Sequence, residues 1–134
     1  MITKVAPDKQ KAEALSKMAE ITLERLKETE LIKYPSNTLN DYYDVIHKLI
    51  EAITLTVGIK FKGEGAHQEL IDYVSKTCSL GEQTRQFLQE MRDYRNRISY
   101  EGFMINKNYI VLNQDKIKDI ILALKEKLEK TNQR

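Results

Sequence analysis

The chain is poor in the residues that hold small, loop-rich proteins together. It has 134 residues and a single cysteine, Cys78, so no disulfide and no cysteine-based zinc site can form within one chain. Five glycines and two prolines allow few tight turns, which argues against a sandwich or barrel of many short strands. We therefore expect one domain, spanning residues 1–134, that is built from a few long elements.

The chain also has few histidines, a small net charge and no long apolar runs. His47 and His67 are too few and too far apart to suggest a metal site. A formal net charge of +2 is too small for nucleic-acid binding by bulk charge, so any such surface has to come from local clustering. The longest apolar runs, such as 120–124, are far shorter than a membrane-spanning helix, and no secretory leader is visible. We expect a cytoplasmic protein without a metal, a cofactor or a membrane partner.

Apolar residues at helical spacing predict two long helices in the first half of the chain. The first begins near Pro7 and ends before Pro35. Thr38 is the predicted cap of the second helix, and Gly58 is its predicted stop. Because the second helix is apolar on both flanks, we expect it to lie at the centre of the fold.

Three further helices are predicted in the second half. A short third helix is followed by a fourth that Ser79 opens and that ends near Gly102. The β-branched and aromatic residues of Phe103–Leu112 favour a small hairpin or an extended loop. Asn113 is the predicted cap of the last helix. The pattern predicts an all-α fold: an up-and-down four-helix bundle with a fifth, short helix and a small hairpin before the last helix.

Arginine is concentrated on the fourth helix. Four of the six arginines fall there within thirteen residues: Arg85, Arg92, Arg95 and Arg97. The planar fork of arginine suits bidentate binding of phosphate or carboxylate. Arg92, Arg95 and Asn96 share a polar stripe, about 120° from the stripe that faces the core. The same residues also fit a solvated face paired with Glu90 and Asp93, so both interpretations stay open.

Other polar candidates have simpler interpretations. His47 lies between apolar neighbours and is expected to be structural. His67 begins the third helix after a basic loop, where it either contacts an anionic ligand or packs at the helix entry. Tyr42 and Tyr43 are expected to pack with their hydroxyls reaching water. Tyr100 follows the arginines directly and is the tyrosine with the best claim to a functional role.

Three segments of the chain resemble the HEPN family of small helical domains. In order, they are YYDVIHKLIEAITLTVG, KFKGEGAHQELIDYV and RDYRNRISYEG, and together they extend from Tyr42 to Gly102. The first is similar to the tyrosine-containing helix of the family that ends in glycine, and the second to its glycine loop and histidine-initiated third helix. The third lies where the Arg-Asn motif of the family, followed by a histidine, belongs.

In catalytic members, the resemblance implies a metal-independent ribonuclease whose two protomers bring their Arg/His motifs together. Arg95 and Asn96 match the motif, and the position of its histidine falls on Tyr100. A tyrosine with a pKa near 10 is a poor general base at neutral pH, although it can donate a hydrogen bond. Arg95 and Tyr100 point about 140° apart on an ideal helix, so they converge only if the helix unwinds near Ser99 or the partner protomer completes the site. Some relatives carry a tyrosine that a partner nucleotidyltransferase modifies; that position is Gly102 here.

Three functions follow from these residues. The first is a homodimeric, HEPN-like module that binds a nucleotide or RNA at Arg95, Asn96 and Tyr100 and pairs with a minimal nucleotidyltransferase. The second is a metal-independent endoribonuclease of toxin type in which Arg95 and Tyr100 are catalytic. The third is a helical protein-interaction domain without a ligand. Because general acid–base catalysis typically contributes about 10²–10⁴-fold in rate and the motif histidine is missing, we expect binding rather than catalysis.

Overall fold

The computed structural model describes residues 1–132, which form five α-helices and two short β-strands. The elements are β1 (Ile2–Lys4), α1 (Lys9–Lys27), α2 (Pro35–Thr56), β2 (Ile59–Phe61), α3 (Ala66–Thr77), α4 (Glu82–Glu101) and α5 (Lys107–Asn132). The predicted all-α class with five helices is confirmed. None of the helices described is both long enough and apolar enough to cross a membrane.

Helix α2 lies at the centre of the fold, as its two apolar flanks predict. It contacts each of the other four helices. Its fully buried side chains include Leu39, Ile46, Leu49 and Ile50. Burial of one such side chain contributes about 1.5–3 kcal/mol, so α2 is the element against which the others are stabilised. The up-and-down order of a four-helix bundle stays a prediction.

The N-terminal segment is fixed across the end of α2. Strand β1 pairs antiparallel with β2, with Thr3 opposite Lys60. The backbone N–H of Val5 donates to the carbonyl oxygen of Gly58 at 2.8 Å. Gly58 has a φ of +77°, and a Cβ there would lie 2.5 Å from the Val5 oxygen. Glycine is therefore needed at this position, where it stops α2 and lets β1 and β2 pair.

Two predicted helix starts are wrong by a few residues. Pro35 does not end a helix but is the first residue of α2, a position at which its missing N–H costs nothing. Thr38 consequently lies inside α2, where its hydroxyl donates to the Leu31 carbonyl at 2.7 Å. Helix α4 begins after Gly81 rather than at Ser79, which has a φ of +53° and belongs to the preceding turn.

The hairpin predicted for Phe103–Leu112 is wrong, and so is the helix cap predicted at Asn113. Helix α5 begins at Lys107. Its cap is Asn106, whose Oδ1 accepts from the backbone N–H of Asn108 at 2.8 Å. Asn106 therefore marks the start of a helix rather than a turn between two strands.

Tertiary burial explains the rest of this segment. Ile105 and Ile110 form a small cluster with Leu39 of α2 and are almost fully buried. The backbone N–H of Ile105 donates to Ser36 Oγ at 3.0 Å. Burial against α2 outweighs the β propensity of these isoleucines, which is a context-dependent preference.

Candidate anion-binding site

The arginines of α4 have different surroundings, although they are close in sequence. Arg85 donates to the carboxylates of Glu82 and Asp72 at 2.8 Å and 3.0 Å. The guanidinium of Arg97 lies 4.0 Å from the centre of the Phe103 ring, a cation–π arrangement. Both side chains therefore have partners within the protein.

Arg95 is left without a carboxylate partner in residues 1–132. Its half-buried side chain contacts Asn96 Oδ1 at 3.5 Å, beyond the usual length of a hydrogen bond. Glu90, one of the two partners expected for a solvated arginine face, instead accepts from the Tyr109 hydroxyl at 2.9 Å. The positive charge of Arg95 is therefore only weakly satisfied by the protein.

Arg95 lines a cavity of about 260 Å³, which we call the arginine cavity. It lies between α2, the start of α3 and α4. Its lining side chains are polar or charged, apart from Tyr43, which is aromatic and ends in a hydroxyl. The lining residues are Asn40, Asp41, Tyr43, Asp44, His47, His67, Arg95 and Ser99. The cavity is large enough for a phosphate group and the atoms next to it.

The two carboxylates of the arginine cavity already have cationic partners. Asp41 accepts from Arg25 Nη2 at 2.7 Å, and Asp44 accepts from Lys48 Nζ at 2.6 Å. Neither Arg25 nor Lys48 lines the cavity. Each carboxylate has its own cationic partner, and neither forms an ion pair with Arg95 within residues 1–132.

Two histidines stack on each other in the arginine cavity. The rings of His47 and His67 lie 4.2 Å apart, centre to centre, with 20° between their planes. Burial and the neighbouring His67 lower the pKa of His47 to about 4, and Asp44 opposes the shift. Partial desolvation and the charge of Arg95 lower the pKa of His67. Both rings are therefore mainly neutral at pH 7, and each offers one N–H donor and one acceptor nitrogen.

Two buried polar atoms of the arginine cavity have no hydrogen-bond partner in residues 1–132: the hydroxyl of Tyr43 and Oδ1 of Asn40. Tyr43 is only 3% exposed, so the expectation that its hydroxyl reaches water is wrong. Burial raises the pKa of Tyr43 to about 12, against the opposing charges of Arg92 and Arg95. The hydroxyl is thus a protonated donor, and leaving it unpaired costs about 1–3 kcal/mol. Native structures contain few unsatisfied groups of this kind, and a bound ion is one explanation for them.

A second cavity, of about 310 Å³, adjoins the first at the histidine pair. His47 and His67 line both cavities. The other walls come from α2, β2 and α3 and include Leu55, Ile59 and Phe61. We call this space the strand cavity, since β2 forms one of its walls.

Comparisons with models of known families, with curated proteins and with solved structures found no match to this chain. The HEPN resemblance therefore stays a prediction, based on its three segments. Within residues 1–132, no three His, Cys, Asp or Glu side chains are placed to hold a metal ion together.

The arginine cavity offers a cation and several hydrogen-bond donors, which is the chemistry that binds an anion.

The structure separates the three residues of the predicted site. Arg95 lines the arginine cavity. Asn96 does not line it but contacts the Arg95 side chain. Tyr100 is 81% exposed and lines neither cavity. Helix α4 continues through Tyr100 to Glu101 before Gly102 ends it, so the unwinding that would turn the tyrosine towards Arg95 does not occur.

The histidine pair is absent from the predicted site, although the sequence carries a signal for it. Helix α2 is largely apolar, yet Asn40, Asp44, His47 and Glu51 follow one another at intervals of three or four residues. Such spacing places them on one face of the helix. A polar stripe on a central helix needs polar neighbours, which α3 and α4 supply. His67 carries no comparable signal, because only packing brings α3 to α2.

Proposed function

We propose that this chain is a HEPN-like module that binds a nucleotide or RNA by holding a phosphate group in the arginine cavity. The observation that supports this best is the half-buried guanidinium of Arg95, which no carboxylate of residues 1–132 neutralises. Arginine binds phosphate through two parallel, charge-assisted hydrogen bonds, which are about twice as strong as neutral ones. An anionic ligand would satisfy a charge that the protein leaves weakly paired.

Other donors surround the proposed phosphate position. The protonated hydroxyl of Tyr43 has no hydrogen-bond partner within residues 1–132, and the neutral rings of His47 and His67 each carry an N–H group. Arg92, one turn before Arg95, adds to the positive potential that acts on Tyr43 and His67. A phosphate has enough acceptor oxygens to use several of these donors together.

A binding titration tests the proposal. A fluorescent single-stranded RNA is the probe, without metal and at several salt concentrations. Because a hydrogen bond to a charged group contributes about 1.5–3 kcal/mol, Arg95→Ala should weaken binding by about tenfold to a hundredfold. It should also reduce the slope of log affinity against log salt concentration by about one, the change expected for the loss of one phosphate contact. Arg85→Gln is the matched control from the same helix and should change the affinity less than about twofold.

Undetectable binding by the wild-type chain, or equal losses in Arg95→Ala and Arg85→Gln, would contradict the proposal. Arg95→Lys adds a further check. It keeps the charge but loses the planar fork, so its affinity should fall between those of the wild type and Arg95→Ala.

We also propose that the functional unit is a homodimer, as the HEPN resemblance implies. Three large side chains are strongly exposed between the end of α4 and the first turns of α5: Tyr100 at 81%, Met104 at 82% and Leu112 at 80%. Exposed apolar surface often marks an interaction site. Analytical ultracentrifugation should show a dimer that Met104→Glu weakens, and a monomer at every concentration would contradict this. A minimal nucleotidyltransferase as partner stays a prediction.

Metal-independent cleavage of RNA is a second candidate function, favoured by the histidine pair. A neutral imidazole beside a bound phosphate can take the proton of a ribose 2′-hydroxyl as its oxygen attacks the phosphorus, and the protonated imidazole can give that proton to the 5′-oxygen as the P–O5′ bond breaks. His67 is the better placed of the two, because it is exposed whereas His47 is mostly buried. In this version the histidines, rather than Tyr100, supply the acid–base groups.

Incubation of a mixed RNA pool in the presence of a chelator tests the second candidate. Cleavage should stop in His67→Asn while RNA binding persists, and Tyr100→Phe should cleave as the wild type does. Loss of cleavage in Tyr100→Phe, with normal cleavage in His67→Asn, would favour the tyrosine mechanism instead. No cleavage by the wild-type chain would leave binding as the function.

A further inference from the structure

We infer that the strand cavity is a base-recognition subsite that takes a nucleobase with adjacent N–H donors, guanine above the others. This inference rests on the proposed function, in which Arg95 holds the phosphate of the same ligand. It adds a second contact region, which would decide which nucleotide binds.

The two cavities are placed for one ligand. His47 and His67 line both of them, so the histidine pair forms their common boundary. His67 is exposed, so the boundary is open to solvent on its side. A nucleotide that passes over His67 would place its phosphate at Arg95 and its base in the strand cavity.

The walls of the strand cavity suit a flat ring. Leu55, Ile59 and Leu70 supply apolar surface, and Phe61 supplies an aromatic face. Apolar walls with a small number of placed polar groups are typical of small-molecule sites. Its volume of about 310 Å³ is at the lower end of such sites, which suits one ring system better than a larger ligand.

Among the polar groups that line the strand cavity, which also include Thr54 and Lys60, Glu51 is the one that would select the base. Its side chain is about one-third exposed, and its Oε2 lies 3.7 Å from Nε2 of His47, too far for a hydrogen bond. His47 is mainly neutral at pH 7, so it does not neutralise this carboxylate. Both oxygens of Glu51 are therefore open to donors from a ligand.

The donor pattern of guanine matches a carboxylate best. Its N1–H and N2–H point the same way from neighbouring atoms, so two oxygens can accept both hydrogens at once. Adenine and cytosine offer only an exocyclic amino group beside a ring acceptor, and uracil offers one ring N–H between two carbonyl groups. A carboxylate repels those acceptors, so it discriminates against the other bases as well as favouring guanine.

Calorimetric titration with mononucleotides tests the subsite. The probes are the 5′-monophosphates of guanosine, adenosine, cytidine and uridine, with ribose 5-phosphate as the ligand without a base. The guanosine nucleotide should bind about tenfold more tightly than the uridine nucleotide, which is the usual range for a bidentate contact. Ribose 5-phosphate should bind more weakly than all four.

Two variants separate the subsite from the phosphate site. Glu51→Gln should remove the guanine preference but leave ribose 5-phosphate binding within about twofold. Ala66→Phe, which places a ring in the strand cavity from the first residue of α3, should weaken every nucleotide but not ribose 5-phosphate. Glu64→Gln, an exposed change outside both cavities, is the matched control. Circular dichroism checks that each variant keeps the helical fold.

The outcomes distinguish the two proposals. Equal binding of all five ligands, still dependent on Arg95, would overturn the base subsite and leave phosphate binding intact. A guanine preference that survives in Glu51→Gln would also overturn it. Binding of none of the five ligands, and of no RNA, would overturn both.

Discussion

Arg95 and Arg97 lie two residues apart on α4 and have opposite surroundings. Arg97 rests on the Phe103 ring at 4.0 Å and approaches Glu101 at 3.5 Å, so the protein itself satisfies its charge. Arg95 is half-buried in a polar cavity and, within residues 1–132, its one polar side-chain contact is Asn96 Oδ1, at 3.5 Å. The comparison shows that a cluster of arginines in a sequence does not indicate which of them is available. The neighbours that packing brings to each guanidinium decide that.

The largest expected effect concerns the histidines beside Arg95. The folded pKa of His47, about 4, lies below its ordinary 6.5, so protonation favours the unfolded chain. The stabilising contribution of neutral His47 is therefore complete above pH 6.5 and is lost as the pH falls towards 4. Between pH 7 and pH 4, the wild type should lose up to about 3 kcal/mol more unfolding free energy than His47→Gln. Urea denaturation of both proteins at several pH values measures the difference.

If the stability of the two proteins depends on pH in the same way, the contrast between the surroundings of Arg95 and Arg97 fails for Arg95. It would mean that His47 is charged or well solvated in the folded state. The arginine cavity would then not be shielded from water, and shielding from water would not distinguish Arg95 from Arg97. The two proteins share every other titratable group, which is why the difference between them, rather than either curve alone, is the measurement.

A smaller effect on the free energy of unfolding is expected for Arg97. Arg97→Ala removes the cation from the Phe103 ring, and such contacts contribute about 0.5–1 kcal/mol when they are partly exposed. The variant should lose about 1 kcal/mol of unfolding free energy and bind RNA within about twofold of the wild type. Thermal denaturation and the RNA titration check the two parts. A larger loss of affinity than of stability would assign Arg97 to the binding surface.

Tyr43 should show the smallest effect, with opposite signs for stability and binding. Its buried hydroxyl has no partner in residues 1–132, so Tyr43→Phe should raise the unfolding free energy by up to about 1 kcal/mol. The same change removes a donor from the arginine cavity and should weaken RNA binding by about twofold to fivefold. A variant that is less stable than the wild type would show that the hydroxyl is satisfied in the free protein.

Much of the fold follows from local patterns in the sequence. The apolar flanks of α2 predict its central position, and Gly58 marks its end. Local patterns fail where distant residues decide. Ile105 and Ile110 have β propensity, yet Ile105 precedes α5 and Ile110 lies within it, because burial against Leu39 of α2 outweighs that preference.

The candidate site was predictable only in part, for the same reason. Arg95 stands out because it belongs to a cluster of arginines within one helix. His47 and His67 come from different helices, so the polar stripe that marks His47 gives no sign of His67. The linear motif predicts Tyr100 as a site residue, but an unbroken helix directs it to solvent. Partners supplied by other helices cannot be read from one segment of sequence.

The most direct test is to measure RNA binding by Arg95→Ala and Arg97→Ala side by side, with the same oligonucleotide and salt. The two variants remove the same side chain at positions two residues apart, so they have equal effects on net charge. Arg95→Ala should bind about tenfold to a hundredfold more weakly than the wild type, while Arg97→Ala stays within about twofold. Equal losses would mean that only overall charge matters. They would contradict the claim that Arg95 is the residue that holds the phosphate.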